Sequence, residues 1–274
     1  MKISSIYDTT ELSNKIRMPW FGYGTYKSSG KELIEGVKFA LSLGYRLIDT
    51  AEMYGNEEEI GKAIKESGIP RKEIFITSKV WNTNQGYETT LKSFNNSLKR
   101  LDVDYLDLYL IHWPVSGKYI ETWKALERLY KDGKVRAIGV SNFLIHHLQS
   151  VMDKCEIVPM VNQIEFHPHL VQWDLLNFCK NNKIQLEAWS PLMRGRINEI
   201  PEIVEIAKKY NKTPAQIVLR WDLQHEVVTI PKSVHKERIK ENANIFDFEL
   251  SDSDMKIIDS LDQNKRYGAD PNDF

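Results

Sequence analysis

An aspartate, a lysine and a histidine each close a short apolar run: Asp49 follows Leu47-Ile48, Lys79 follows Ile74–Ser78, and His112 follows Leu106–Ile111. Tyr54 stands five residues beyond Asp49, close enough for the intervening loop to fold back over the end of that run. These side-chain types suit proton exchange with a substrate oxygen. A lysine ammonium beside a phenol favours phenolate, an aspartate can hold that lysine in place, and a histidine can donate a hydrogen bond that orients a carbonyl for attack. Taken singly, each has a structural reading as well. Asp49 could cap a helix, Tyr54 could pack in a turn, and His112, before Trp113-Pro114, could be a satisfied core histidine. Lys79 could serve only in an ion pair, or as the imine-forming lysine of an aldolase.

The elements that would position them repeat one pattern, an apolar strand, a loop and an amphipathic helix. Strand-like runs read Phe21–Gly24, Leu47–Asp49, Ile74–Lys79, Leu106–His112, Ala137–Ser141, Val161–Glu165, Gln185–Ser190 and Val227–Lys232. Alternation of this kind means a parallel sheet with helical crossovers. The first helix opens at Ser29-Gly30-Lys31-Glu32, a capping box, continues through Leu33, Val37, Ala40 and Leu41, and stops at Gly44. Further helical patterns cover Ile120–Tyr130, Leu144–Met152 and Thr213–Gln224, the last with proline at its first position. A polar opening places a hairpin near the N-terminus, with its turn at Tyr7–Glu11, and Ser251–Asp254 caps a final helix. Eight units without a linker predict one α/β domain over residues 1–274. It is a closed (β/α)8 TIM barrel with an N-terminal β-hairpin plug and auxiliary helices. In that fold active sites gather at the C-terminal strand ends, which is where Asp49, Lys79 and His112 stand. An open doubly wound sheet would carry GxGxxG after its first strand, and Gly22-Tyr23-Gly24-Thr25-Tyr26 lacks the third glycine.

Composition narrows the classes. The 274 residues are 42% hydrophobic and 27% charged, with 37 basic and 38 acidic residues and a net charge of −1. This excludes a disordered tail, and it gives no overall field to draw nucleic acid or an anionic membrane. No run approaches the ~18 apolar residues of a membrane span. Two cysteines, Cys155 and Cys179, are too few for a disulfide framework and read as packing thiols, so a reducing, cytoplasmic setting is expected. Residues 1–19 interleave charges where a secretory leader would need an apolar stretch. No helix face stands out as unclaimed by the barrel, and a monomer is expected.

Four stretches resemble the aldo-keto reductases: Asp49-Thr50-Ala51-Glu52-Met53-Tyr54-Gly55-Asn56-Glu57, Lys79-Val80-Trp81-Asn82, Leu101–Pro114 and Ile138-Gly139-Val140-Ser141-Asn142-Phe143. The likeness runs from about Met18 to Asp262, and among subgroups the chain is similar to the compact prokaryotic and protozoan enzymes of the diketogluconate reductase and prostaglandin F synthase kind. It implies reduction of aldehydes, ketones or dicarbonyls to alcohols, with Asp49, Tyr54, Lys79 and His112 as a catalytic tetrad and Tyr54 as general acid. It further implies a nicotinamide whose carboxamide is held by Ser141, Asn142 and Gln163. The ring would stack on Trp189, where many relatives have tyrosine; a tryptophan face is larger, so the role survives. Cofactor contacts are also expected from Gly24, Thr25, Tyr26, Asp49, Ser190, Leu192 and Val234.

Lys232–Asn242 runs from a strand end into a helix, and helix N-terminal amides beside Lys and Arg make an anion site. The resemblance assigns Lys232, Ser233 and Arg238 to a 2′-phosphate and Glu241 and Asn242 to the adenine, which implies NADPH rather than NADH. Tyr26, Tyr54, Trp81, His112 and Trp113 are expected to line the substrate pocket. The loop Trp113–Lys118 and the tail after Asp262 are both brief, which predicts an open pocket and broad substrate acceptance. His167-Pro168-His169 looks like a metal pair, but a metal hydrolase barrel needs further His and Asp ligands at strand ends that here hold Lys79, Ser141, Gln163 and Trp189, so no metal is expected. Two other classes stay open: a cofactor-occupied regulatory subunit with little turnover, and a lysine aldolase.

Overall fold

The computed structural model describes residues 3–154 and 156–274, which leaves Cys155 outside the described residues. Two short strands, β1 (Thr9–Glu11) and β2 (Arg17–Pro19), pair antiparallel. The barrel follows as β3 (Gly22–Gly24), β4 (Leu47–Asp49), β5 (Phe75–Val80), β6 (Leu106–Ile111), β7 (Val135–Ser141), β8 (Val161–Glu165), β9 (Gln185–Trp189) and β10 (Val228–Thr229). All eight pair in parallel with their sequence neighbours. Parallel bridges Phe21↔Thr229 and Gly24↔Lys232 bring the last strand round to the first. The eight runs read from sequence are therefore the eight staves. Closure depends on glycine at one seam, because a Cβ on Gly24 would lie 2.7 Å from the Ile230 carbonyl oxygen.

Helices α1 (Gly30–Ser42), α2 (Glu57–Ser67), α3 (Tyr87–Leu101), α4 (Tyr119–Lys131), α5 (Ile145–Lys154) and α6 (Trp173–Asn181) alternate with the strands. After β9 come α7 (Pro201–Tyr210) and α8 (Pro214–Gln224), and after β10 come α9 (Lys236–Ala243) and α10 (Asp252–Asp259). In α1 the buried side is Leu33, Gly36, Val37, Ala40 and Leu41, the 3.6-residue stripe seen in the sequence. The strands β5 and β6 are buried at every position, as strands covered by side chains within and helices without must be. Each buried Leu or Ile contributes roughly 1.5–3 kcal/mol relative to exposure.

Two local expectations are corrected. Ser29 is the N-cap of α1, but its side chain makes no capping bond, so the Ser29–Glu32 box does not form. Instead the Gly30 amide donates to Glu59 Oε1 at the start of α2. The hairpin turn is not Tyr7–Glu11, whose second half is β1. It lies between Leu12 and Ile16, where Lys15 takes a left-handed φ of 71° and Asn14 Oδ1 accepts from the Ile16 amide. Asn supplies the local hydrogen bond that such a turn needs. The hairpin lies across the N-terminal strand ends: Thr10 donates to Gln185 at the start of β9 and Asn14 to the Arg136 carbonyl in β7. Thr213 caps α8, with Gln216 completing a capping box that the sequence reading did not include, and the expected Ser251 cap of α10 forms.

Candidate active site

Asp49 ends β4 in register with Thr77, so Lys79, two residues further along β5, points to the same side of the sheet above it. Lys79 Nζ donates to both carboxylate oxygens of Asp49 at 2.8 Å, to the Thr50 carbonyl at 3.0 Å and to the Tyr54 hydroxyl at 3.3 Å. Tyr54 reaches this point because a single 3-10 turn, Glu52–Tyr54, folds the chain back and ends at Gly55 in the left-handed region. His112, just past β6, sets its ring edge-on to Tyr54 with centroids 5.7 Å apart. The four residues converge on one rim, as expected.

The protonation states follow from burial. Burial pushes Tyr54 up to about 12, and although Lys79 pulls the other way it does not prevail. Lys79 does favour the phenolate, as expected, but burial outweighs it, so the phenol keeps its proton, as a general acid must. Burial, reinforced by Lys79, holds His112 well below the usual imidazole range. The ring is therefore neutral, and with Nδ1 sealed off and without a partner, Nε2 is the nitrogen left for a substrate. Burial alone would lower Lys79, but Asp49 and Tyr54 together hold it above the ordinary value. A bound ammonium of this kind is not the free amine that imine chemistry requires.

Ser141 and Gln163 sit side by side in β7 and β8, and Asn142, at a left-handed φ of 65°, turns its amide inward. Asn142 Nδ2 donates to the His112 carbonyl and its Oδ1 accepts from Trp189 Nε1 at 2.8 Å, so one side chain ties the tryptophan to the tetrad strand. Thr25 Oγ1 donates to the Asp49 carbonyl. Ser190, also left-handed, bends the chain from β9 toward Leu192. At the seam, Lys232, Ser233 and Val234 lead into α9, where the His235 amide donates to Ser233 Oγ. Among the described residues neither Lys232 nor Arg238 has a carboxylate partner, so both remain available to an anion. Glu241, on the same helix, accepts from Thr213, and Asn242 is buried beside it.

The aldo/keto reductase family model matches residues 20–263. The chain belongs to the aldo/keto reductase family. Membership makes it an oxidoreductase acting on carbonyl groups. It is 59% identical to the glyoxal reductase of Bacillus subtilis over 99% of both chains. It is 47% identical to the methylglyoxal reductase DkgA of Salmonella typhimurium over 94% of both. Among solved structures, a point mutant of Gox0644 in complex with NADPH superposes with a TM-score of 0.93 at 44% identity, over 97% of each chain.

The mouth of this reductase is walled by aromatic rings. Tyr26 is exposed and lies 5.0 Å from Tyr54, Trp81 stands edge-on to His112 at 5.1 Å, and Trp113 carries Phe274 stacked on it at 4.3 Å and 19°. The segment after Asp262 is anchored: the amides of Tyr267 and Gly268 donate to the buried Glu165 carboxylate, and the Ser116 amide donates to the Phe274 carbonyl. Gly268 crosses so close to Trp189 that a Cβ would lie 2.4 Å from its ring. His167 and His169 are engaged by Glu165 and Tyr267, and no group of three or more metal-ligating side chains occurs among the described residues. No helix among them is long and apolar enough to cross a membrane.

Two residues escaped the sequence reading. Glu52 accepts from the Trp81 amide, Asn84 and Ser93, and so fixes the loop that presents Trp81. Glu187 lies fully buried in β9 against Gln163. Its signal was present in the sequence, since a carboxylate at mid-strand two residues before Trp189 must share that residue's face.

Proposed function

We propose that this single-domain protein reduces small aldehydes and α-dicarbonyl compounds of the glyoxal and methylglyoxal type with NADPH, as a monomer in the cytoplasm. The observation that carries the reading is Lys79 bound at once to Asp49 and to the Tyr54 hydroxyl, beside a neutral His112. Names borne by relatives, glyoxal and methylglyoxal reductase, support the substrate class. The NADPH complex of a structural neighbour supports the cofactor.

The residues fit that cofactor. Lys232 and Arg238, uncompensated beside the α9 N-terminus, would hold the 2′-phosphate, with Glu241 and Asn242 at the adenine. Ser141, Asn142 and Gln163 would hold the carboxamide, and Trp189 would lie against the ring. NADPH, when bound, supplies a hydride. Tyr54 donates the proton to the carbonyl oxygen, and His112 Nε2 orients that oxygen. Lys79 keeps the phenol placed and charge-balances what remains when its proton leaves. The aromatic wall of Tyr26, Trp81 and Trp113 keeps water from the reacting carbon.

The test is steady-state oxidation of NADPH with glyoxal, methylglyoxal and 4-nitrobenzaldehyde, comparing the native chain with Tyr54→Phe. Turnover should fall on the order of 10²–10⁴-fold in the variant, with cofactor affinity kept. Wild-type rates in Tyr54→Phe would sink the mechanism. Binding of NADPH without turnover of any carbonyl would favour a regulatory role instead. Light scattering giving a mass near 32.0 kDa would support the monomer.

A further inference from the structure

Glu187 is buried in the barrel, yet no step above uses it. Gln163 Nε2 donates to Glu187 Oε2 at 2.8 Å and to Asp49 Oδ2 at 2.8 Å, so two carboxyl groups share one amide nitrogen. An NH₂ group has two protons, and both are taken. Asp49 is ion-paired with Lys79 and offers only acceptors, which settles that the nitrogen end of the amide points down into the barrel. Gln163 Oε1 accepts from nothing among the described residues and is not sealed, whereas Glu187 Oε1 is buried without a partner.

We infer that Glu187 is a positioning residue. With Asp49 it takes up both amide protons of Gln163 and thereby presents the Gln163 carbonyl to the carboxamide N–H of the cofactor. This rests on the reading of Gln163 as a carboxamide partner. Without an acceptor at 187 the second amide proton of Gln163 would be left buried and unpaired, and Asp49 alone would hold the amide against rotation.

The site also links proton balance to cofactor charge. Burial, with the charge of Asp49 added, pushes Glu187 up to about 8, against the opposing pull of Gln163 and Lys79. The charged groups facing it are Asp49 on β4 and Lys79 on β5. Tyr54 and the neutral His112 stand beyond Lys79, and its own neighbours in β8 and β10, Gln163 and Val228, carry no charge. An oxidised nicotinamide is cationic and a reduced one is neutral. Raising the pH ionises Glu187, and the new negative charge favours the cationic ring. By reciprocity, the oxidised cofactor lowers the pH at which Glu187 ionises.

The experiment is titration of NADPH and NADP⁺ binding by tryptophan fluorescence quenching from pH 6.5 to 9.5. It uses the wild type, Glu187→Gln and Glu187→Met, each checked for fold by circular dichroism. Both cofactor forms carry the same phosphates, so phosphate titration cancels in the ratio of their dissociation constants. In the wild type NADP⁺ should gain on NADPH by about threefold to tenfold as the pH rises through 8. The ratio should be flat in Glu187→Gln, which keeps an acceptor but does not titrate. Glu187→Met should weaken both cofactors by about threefold to tenfold, with Glu187→Gln restoring most of that. A Glu187→Gln ratio that follows the wild-type curve, or a Glu187→Met that binds like wild type, would overturn the inference. If the wild type binds neither cofactor, the failure belongs to the proposed function instead.

Discussion

Lys79 Nζ lies 2.8 Å from each carboxylate oxygen of Asp49, with the lysine wholly buried and the aspartate side chain 3% exposed. A pair so deep is held because each charge answers the other, and removing one strands its partner. Lys79→Met should therefore cost about 3–5 kcal/mol in urea unfolding. The double variant Asp49→Asn with Lys79→Met should recover most of that loss, because asparagine can still accept from Gln163 without leaving a bare charge. Carbonyl reduction should stay abolished in both. Equal destabilisation of the single and double variants would show that the pair is not energetically coupled.

Among the described residues neither Arg238 nor Lys232 is paired with a carboxylate that would have to be released before a phosphate binds. Arg238→Ala should weaken NADPH by about 10–100-fold, the worth of a charge-assisted hydrogen bond, and leave NADH within about twofold. Fluorescence titration with both cofactors is the check. Equal losses would mean that Arg238 does not read the 2′-phosphate.

Asp222 is a buried carboxyl in α8 whose side chain accepts from Thr229, with Oδ1 unpaired among the described residues. Burial raises it well above the usual carboxylate range, although Thr229 opposes this. In the unfolded chain it ionises near 3.8. The folded state thus binds a proton that the unfolded state has lost, and its stability falls as the pH rises from that value toward the folded one. Asp222→Asn has no proton to lose. Its urea midpoint relative to wild type should be higher at pH 7.5 than at pH 5, and a pH-independent difference would argue that Asp222 is ionised in the fold.

Phe274 stacked on Trp113 braces the loop that follows His112. An aromatic pair contributes about 0.5–1.5 kcal/mol beyond area burial. Phe274→Ala should raise KM for 4-nitrobenzaldehyde by about threefold to tenfold while kcat changes less than twofold. A fall in kcat at constant KM would place the ring in the chemical step rather than in the wall.

The barrel was legible because each of its strands is a local apolar run bounded by its own helix signal, and Thr213 and Ser251 cap with side chains three residues from their targets. Ser29 has the same local pattern and does not cap; the first amide of that helix, Gly30, is instead met by Glu59 from the neighbouring helix. The Phe274–Trp113 stack and the Glu165 anchor for the tail join residues far apart in the chain, so no period or motif announces them. Glu187 was visible as an odd charge in a strand but not as a partner, since strand register alone brings it opposite Gln163.

By itself the sequence determined which elements form, in what order, and which chemical groups stand at their ends, because those depend on propensity and spacing over a few residues. Protonation was decided only in three dimensions. Reading Lys79 beside Tyr54 suggests a phenolate, yet burial acts on Tyr54 more strongly than the neighbouring ammonium does and keeps the proton on the phenol. Desolvation is a property of everything packed around a group, and that surrounding exists only once the barrel has closed.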